Sequence, residues 1–272
     1  MTSALFPAGG QASAAQAPSG LELQVQAWQR MLAAQDAFKD WAQADADIQA
    51  LGPGTHGWMA VLKTDGRTVG YMVIHAAEEG GYRLGEYGVG PNALFDPASL
   101  KKSLEENGLL GTKGTPYTAD KLYFHPFAAV WEVRIGSDLY WLDAKTAELL
   151  PFDRSGWEKS RALLSVSKEE PEPFSESVSL HVGKTFDPYD KLPWMTGEPT
   201  FDAGNGEKAQ TRLRGGLHLR YVSEPYGQDV LYALPVIGFR QGKNGRLDLA
   251  LDMAGLRFVP FRELARLGRF YA

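Results

Sequence analysis

The chain has 272 residues, of which 44% are hydrophobic and 22% charged, and these values are typical of a globular protein. Its net charge of −5 argues against the concentrated basic surface that duplex binding needs, so we expect no nucleic-acid partner. The absence of cysteine excludes disulfides, thiolate nucleophiles and cysteine-ligated metals. No apolar run approaches the ~18 residues of a membrane span, so we expect no transmembrane segment.

The N-terminal segment, residues 1–18, is small and polar. It contains Ala12-Ser13-Ala14 and Ala15-Gln16-Ala17, both of the A-x-A form that signal peptidase reads. The charged start and the apolar stretch of a complete export signal are missing. The segment is therefore either the remnant of an export signal, which we favour, or a disordered tail. We expect an extracytoplasmic or secreted location, with a cytoplasmic one as the alternative.

The first half of the chain predicts a helix followed by strands. Ser19-Gly20-Leu21-Glu22 has the form of a capping box, and the apolar stripe that begins there predicts a long helix ending at Gly52-Pro53. The stripe consists of Leu21, Val25, Trp28 and Leu32, roughly extended by Phe38, Trp41 and Ile48. Strands are predicted over 58–63, 69–75 and 82–87 as a meander, and then over 121–124, 129–135 and 139–143. Asp96-Pro97 predicts the start of a short helix over 98–106.

The second half repeats this order. A second capping box, Ser155-Gly156-Trp157-Glu158, predicts a helix that ends near Val166. Residues 167–177 are polar and broken by proline, as in a linker-like loop, and residues 186–206 are rich in Pro, Gly and Asp. Strands are predicted over 217–222, 230–239 and 247–252, with a final helix over 261–267.

An internal repeat relates the two halves. Eight residues recur without gaps at an offset of 109: Leu122, Tyr123, Pro126, Gly136, Leu142, Asp143, Pro151 and Phe152 match Leu231, Tyr232, Pro235, Gly245, Leu251, Asp252, Pro260 and Phe261. We therefore predict an α+β fold of two related lobes, residues 19–153 and 154–272. In each lobe an N-terminal helix packs on an antiparallel sheet.

One part of the repeat is similar to a known family. Trp131-Glu132-Val133-Arg134-Ile135, followed by the segment 140–150, resembles the C-terminal hairpin of PepSY domains, in which a W-x-V strand precedes a strand ending in D-x-x-T-G-x-(V/L). Ala147 stands where that family prefers glycine. The resemblance covers about residues 129–150, and the repeat would extend it to 231–261. It implies an extracytoplasmic, non-catalytic module that inhibits peptidases or mediates contacts, and it carries over no functional residues.

The chemistry-bearing residues form no local motif. None of the five histidines lies in a metal-binding spacing, so we expect no metal and no cofactor. The glycines of 85–90 lack the context of a phosphate loop and are typical of turns and bulges. Residues 240–272 carry an excess of Arg and Lys, which we interpret as a solvated face.

Two tryptophans are candidate contact residues. The leucines of 247–251 alternate with polar residues and should face the core, so the repeat places Trp141 on the opposite face with Asp143. Trp141 is then either covered by another element, which we favour, or exposed to a partner. Trp194 lies in a Pro/Gly-rich loop, either as an anchor, which we favour, or as an exposed recognition tip.

These observations lead to a functional expectation. We expect a non-catalytic, extracytoplasmic binding or regulatory module of the bacterial cell envelope, with another protein or an envelope component as its partner. One alternative is a hydrolase whose Asp, Glu and His residues assemble between the lobes. Another is a structural domain of a surface assembly.

Overall fold

A computed structural model describes residues 19–52, 56–111, 115–164, 172–201 and 205–272. The α+β fold class is confirmed, since helices accompany two antiparallel sheets. The expectations for residues 1–18 and for the first part of the linker-like loop, up to 171, lie outside the described residues. In the described part of the chain, no helix is both long and apolar enough to cross a membrane.

The N-terminal helix is shorter than the sequence predicts. Helix α1 spans Ser19–Ala33, a 3-10 helix follows at Asp36–Trp41, and strand β1 spans Asp45–Ala50, so the expected helix through Ile48 is wrong. Phe38 and Trp41 are both buried, and their spacing of three suits the three residues per turn of a 3-10 helix. The alternation of polar and apolar residues in β1 is a period-two pattern that the helical interpretation overlooked.

The strands of the first half form two sheets. The predicted meander is confirmed as β2 (Gly57–Thr64), β3 (Arg67–Ala76) and β4 (Tyr82–Val89). Helix α2 (Pro97–Glu106) begins as predicted, because the Asp96 carboxylate accepts a hydrogen bond from the Ser99 N–H at 2.8 Å. A separate three-stranded sheet follows, which consists of β5 (Thr118–His125), β6 (Ala128–Ile135) and β7 (Asp138–Asp143). Its strands lie side by side in the same order as in the chain.

The second half adds further strands and helices. In chain order they are α3 (Arg154–Leu164), β8 (Ser177–Val182), α4 (Pro193–Thr196), α5 (Gly206–Arg214), β9 (Arg220–Ser223), β10 (Pro225–Gln228), β11 (Tyr232–Gly242), β12 (Leu247–Asp252), β13 (Leu256–Pro260), α6 (Phe261–Leu267) and β14 (Gly268–Tyr271). The sequence did not predict β8, α4, α5, β10, β13 or β14, and α4 lies where irregular structure was expected. The linker-like loop therefore ends one residue earlier than expected, since Ser177 begins β8.

One large sheet spans both halves of the chain. Its ten strands run in the order β1-β2-β3-β4-β13-β12-β11-β9-β14, and β8 also pairs with β11. The pairing of β13 with β4 joins Leu256 to Val89. A strand of the second predicted lobe is therefore hydrogen-bonded to a strand of the first. The two sequence halves thus share a sheet.

The layers of the fold bury three apolar clusters. The stripe of α1 packs on one face of the large sheet, as predicted, and its four residues are at most 4% exposed. The opposite face of β2 and β3 packs against α2 and the three-stranded sheet. The other face of that small sheet packs against α3 and the second half of the chain. Both faces of the small sheet are therefore covered.

The repeated residues occupy partly similar places. Gly136 and Gly245 both lie in hairpin turns with positive φ, 61° and 90°, and Asp143 and Asp252 each end the second strand of a hairpin. The hairpins lie in different sheets, and their registers differ, because Ile135 pairs with Asp138 whereas Gln241 pairs with Leu247. The duplication stays a prediction.

Candidate functional site

A buried ion pair lies between the two sheets. Glu86 on β4 and Arg257 on β13 are 0% and 1% exposed. The Arg257 guanidinium donates from Nε to Glu86 Oε2 at 2.7 Å and from Nη2 to Oε1 at 3.0 Å, a bidentate geometry. Arg257 also donates to the Pro126 carbonyl in the β5–β6 turn and lies 4.8 Å above the ring of Phe127. The pair thus fastens the small sheet to the large one.

Two glycines of β4 make room for aromatic rings beside this pair. Gly85 and Gly88 lie under the rings of His75 and Tyr71, and a Cβ at Gly85 would approach His75 Nε2 to 2.8 Å. These glycines lie within a strand and not in a turn, and a register shift between β3 and β4 gives β4 one extra residue between Leu84 and Tyr87, so the expectation of a bulge is confirmed at Gly85. Because side chains alternate along a strand, Glu86 points to the face opposite Tyr87.

A second acid and a lysine lie beside the pair. The Asp143 carboxylate accepts from the N–H groups of Lys145 and Thr146, both at 2.7 Å, and from the Tyr232 hydroxyl at 2.6 Å. Lys145 donates from Nζ to the Asn92 carbonyl, and its Nζ lies 5.3 Å from the centre of the Tyr71 ring. Burial, with the nearby charge of Arg257, lowers the pKa of Lys145 to about 8.

The remaining polar groups around this cluster are neutral. Burial lowers the pKa of His125 to about 3 and that of His75 to about 4. His125 Nε2 donates to the Glu263 carbonyl at 2.9 Å, while its Nδ1 accepts from the Phe127 N–H at 3.1 Å. The Tyr71 and Tyr123 hydroxyls form no hydrogen bond of ordinary geometry with the described residues, and burial raises the pKa of each.

The inter-sheet cluster, which we define as Tyr71, Glu86, Tyr123, Asp143, Lys145 and Arg257, has acids and bases but no opening. Its residues do not line the surface depression of about 600 Å³ that lies between α2 and residues 115–117. Within the described ranges, no group of three or more His, Asp or Glu residues is placed to hold a metal ion. The cluster brings Asp and Glu together between the sheets, and Glu86, Asp143 and Lys145 are at most 7% exposed.

The two tryptophans named from the sequence lie in different surroundings. Trp141 is 1% exposed and stacks on Trp157 of α3, with ring centres 6.0 Å apart. It is therefore covered, and its burial excludes the alternative of a contact residue. Trp194 lies in α4 and is only half-buried, with its ring packed edge-on against Tyr189 at 5.8 Å.

Trp194 belongs to an apolar surface loop, residues 186–197, which we name the Trp194 loop. Tyr189, Leu192 and Met195 in this loop are 52%, 39% and 71% exposed. Its backbone is nevertheless held, because buried Arg220 on β9 donates to the carbonyls of Pro188 at 2.8 Å and Asp190 at 3.1 Å.

The backbone of this loop is also strained. Lys191 and Leu192 have positive φ values of 63° and 42°, in the left-handed region that non-glycine residues rarely adopt. Strained residues of this kind are common in functional loops, where the surrounding structure holds them in place. The loop therefore presents its apolar side chains in a fixed arrangement.

Sequence reasoning missed the buried charges of the second half. Arg240, Arg246 and Arg257 are at most 1% exposed, so the interpretation of 240–272 as a solvated face is wrong for three of its seven basic residues. Asp248 lies on the face of β12 opposite the leucines and is fully buried, because both faces of that strand are covered. The available signal was the position of Arg246 two residues before Asp248, a spacing that brings the two side chains together at the start of β12.

Comparisons with known proteins give no relative: no family model matches the chain, and neither a curated protein nor a solved structure matches it.

Proposed function

We propose that this chain is a non-catalytic binding or regulatory module of the cell envelope and that it contacts its partner through the Trp194 loop. The observation that carries the proposal is the exposure of Tyr189, Leu192 and Met195 in one loop whose backbone is tied to β9 by Arg220. Apolar side chains that cluster at the surface mark interaction sites more often than apolar residues scattered singly do. A loop held on a rigid sheet loses little conformational freedom on binding.

The closed inter-sheet cluster supports the non-catalytic part of the proposal. Catalysis needs a reacting group within hydrogen-bond reach of a bound substrate. Glu86 and Arg257 satisfy each other and are inaccessible to solvent. Their arrangement is that of a structural ion pair.

Site-specific photo-crosslinking in the native cell tests the contact surface. A photoreactive residue replaces Met195 and, as a control, Lys102, whose side chain is 74% exposed on α2. We expect a discrete adduct at position 195 that is missing at 102 and disappears when Leu192→Ser is added. Equal adduct patterns at both positions would contradict the proposal.

Fractionation of the same cells tests the location. Recovery of the native chain in the envelope or secreted fraction is the expected result. Recovery in the cytoplasm alone would contradict the proposed envelope location. The proposed contact surface would still be decided by the crosslinking experiment.

A hydrolase is the second candidate, because Glu86, Asp143 and Lys145 converge between the sheets. The substitution Lys145→Met separates the two candidates, with Met195→Ser as a surface control. Hydrolysis of a peptide or ester panel that Lys145→Met abolishes and Met195→Ser preserves would favour the hydrolase. We expect no turnover by the wild type.

A further inference from the structure

Residues 172–176 form a segment without helix or strand that packs, through Phe174, on the α1 face of the large sheet, and we name this segment the strap. The ring of Phe174 at its centre lies in a pocket formed by aromatic and cationic side chains. Trp28 and Tyr87 approach it edge-on at 6.5 and 5.7 Å, and the Arg240 guanidinium lies 3.9 Å from its centre. The guanidinium of Arg246 lies 5.3 Å from the same ring. An aromatic side chain is thus held by two cations and two rings.

The strap backbone is bound mostly by side chains of the second half of the chain. Arg246 Nη1 donates to the Glu172 carbonyl at 2.8 Å, and Asn244 Nδ2 donates to the Pro173 carbonyl at 2.7 Å. Arg240 Nη2 donates to the Ser175 carbonyl. Side chains that bind main-chain carbonyls in this way are typical of a groove that holds an extended peptide.

The charges of the strap and its groove are complementary. Glu172 forms an ion pair with Arg262 at 3.1 Å, and Glu176 pairs with Lys243. Beneath the strap, two buried arginines face a single buried acid, Asp248, whose Oδ1 accepts from Arg246 Nε at 2.8 Å. The groove therefore has an excess of positive charge that suits an acidic segment.

The strap does not satisfy all of the donors in the groove. Arg240 Nη1 lies 3.6 Å from Asp248 Oδ2, beyond hydrogen-bond distance, and neither Nη1 nor Nε of Arg240 has a hydrogen-bond partner among the described residues. Both atoms are inaccessible to solvent, and unsatisfied buried donors are rare in proteins.

We propose that this groove, formed by Trp28, Tyr87, Arg240, Asn244 and Arg246, is a recognition site for an acidic peptide segment in which an aromatic residue follows proline. The strap is its internal occupant, and a partner segment of the same chemistry replaces the strap. The inference is independent of the Trp194 loop and would hold if that loop bound nothing.

Binding of a synthetic peptide tests the proposal. The probe is a fluorescein-labelled Glu-Pro-Phe-Ser-Glu, the sequence of residues 172–176, and the acceptor is the full chain with Phe174→Ala, which empties the ring pocket. We expect at least ten-fold tighter binding to this variant than to the wild type, whose own ring competes. The control peptide Glu-Pro-Ala-Ser-Glu should bind at least ten-fold more weakly, and raising the salt concentration should weaken binding of the probe.

Equal affinity for the two peptides, or for the variant and the wild type, would overturn the proposal. If Phe174→Ala does not fold by itself, the peptide is added during refolding. Recovery of the near-ultraviolet circular dichroism spectrum with the phenylalanine peptide alone supports the proposal, and failure of both peptides to restore it overturns it.

Discussion

The large sheet carries buried charges on both faces, and the two groups are satisfied in different ways. On the face toward the small sheet, Arg257 and Glu86 form a one-to-one pair with two short hydrogen bonds. On the face toward α1, Arg240 and Arg246 share Asp248, and part of their hydrogen bonding goes to the carbonyls of the strap.

The difference shows which face is fixed by the sheet itself. The Glu86–Arg257 pair joins neighbouring strands, so it forms wherever β4 and β13 pair. On the other face, Arg240 donates to a coil segment far from it in the chain, and Arg246 donates both to that segment and to Asp248, Leu84 and Gly85 of the sheet. A charge satisfied within the sheet is a structural element, whereas one satisfied by a coil segment leaves room for exchange.

The largest effect is expected when the matched pair is broken. Glu86→Gln leaves the Arg257 charge buried without its partner, which typically costs about 3–5 kcal/mol. Urea unfolding followed by tryptophan fluorescence measures this loss of stability.

The double variant Glu86→Gln/Arg257→Met is the matched control, since it removes both charges. We expect it to be more stable than Glu86→Gln alone, because no uncompensated charge remains buried. An equally unstable double variant would mean that the two residues act through packing and not as an ion pair.

On the α1 face, the packing of α1 on the sheet should contribute more to the free energy of unfolding than the buried charges do. Trp28 is 4% exposed and contacts both the sheet and Phe174. Trp28→Ala should cost about 3–4 kcal/mol by leaving a cavity under α1. The denaturation midpoint of this variant beside that of the exposed-site control Leu23→Ala checks the prediction. A midpoint equal to that of the wild type would mean that α1 does not belong to the core.

Lowering the pH should decrease the free energy of unfolding through the buried His125 at the end of β5. The pKa of His125 is lowered to about 3 in the folded chain, below the 6.5 of an exposed histidine. The unfolded chain therefore binds a proton that the folded chain excludes as the pH falls below 6.5. This contribution to stability is complete above pH 6.5 and is lost toward pH 3, by about 2–3 kcal/mol at pH 4.5.

Unfolding free energies of the wild type and of His125→Gln, measured from pH 7 to pH 4.5, check this slope. The variant lacks the titrating group and should depend less on pH over that range. If the two curves run parallel, His125 is not the residue that carries the acid sensitivity.

Much of the secondary structure follows from the sequence, because alternation, apolar stripes and the Asp-Pro helix start are local signals. The meander, α2 and the stripe of α1 are confirmed on that basis. The second capping box was wrong, since α3 begins at Arg154 and the Asp153 carboxylate accepts from the Gly156 N–H at 2.7 Å in place of Ser155. The β1 strand was missed because Ile48 fits both a helical stripe and a strand, and the choice depends on its pairing with Ala60 of β2. Local patterns cannot supply a partner strand.

The buried charges were harder to predict for the same reason. Arg240 and Arg246 look like surface residues until β12 is known to be covered on both faces, and the strap reaches them from more than sixty residues away. The fate of Trp141 likewise depended on Trp157, which belongs to a helix of the second half. Trp194 remained a candidate contact residue because its loop has no periodic pattern of apolar residues from which a buried face could be predicted.

The smallest change in stability is expected for a substitution in the turn after β7. This substitution tests whether the backbone of that turn, on the small-sheet side, is strained. Ala147 has a φ of 58°, in the left-handed region where a Cβ is unfavourable. Relief of about 1 kcal/mol of backbone strain by Ala147→Gly should offset most of the loss of a buried methyl group. We therefore expect the stability of Ala147→Gly to lie within about 0.5 kcal/mol of that of the wild type.

Ala250→Gly is the matched control, because Ala250 is equally buried within β12 and has no positive φ. That control should cost about 1–2 kcal/mol, and equal losses in the two variants would show that the turn holding Asp143 and Lys145 is not strained.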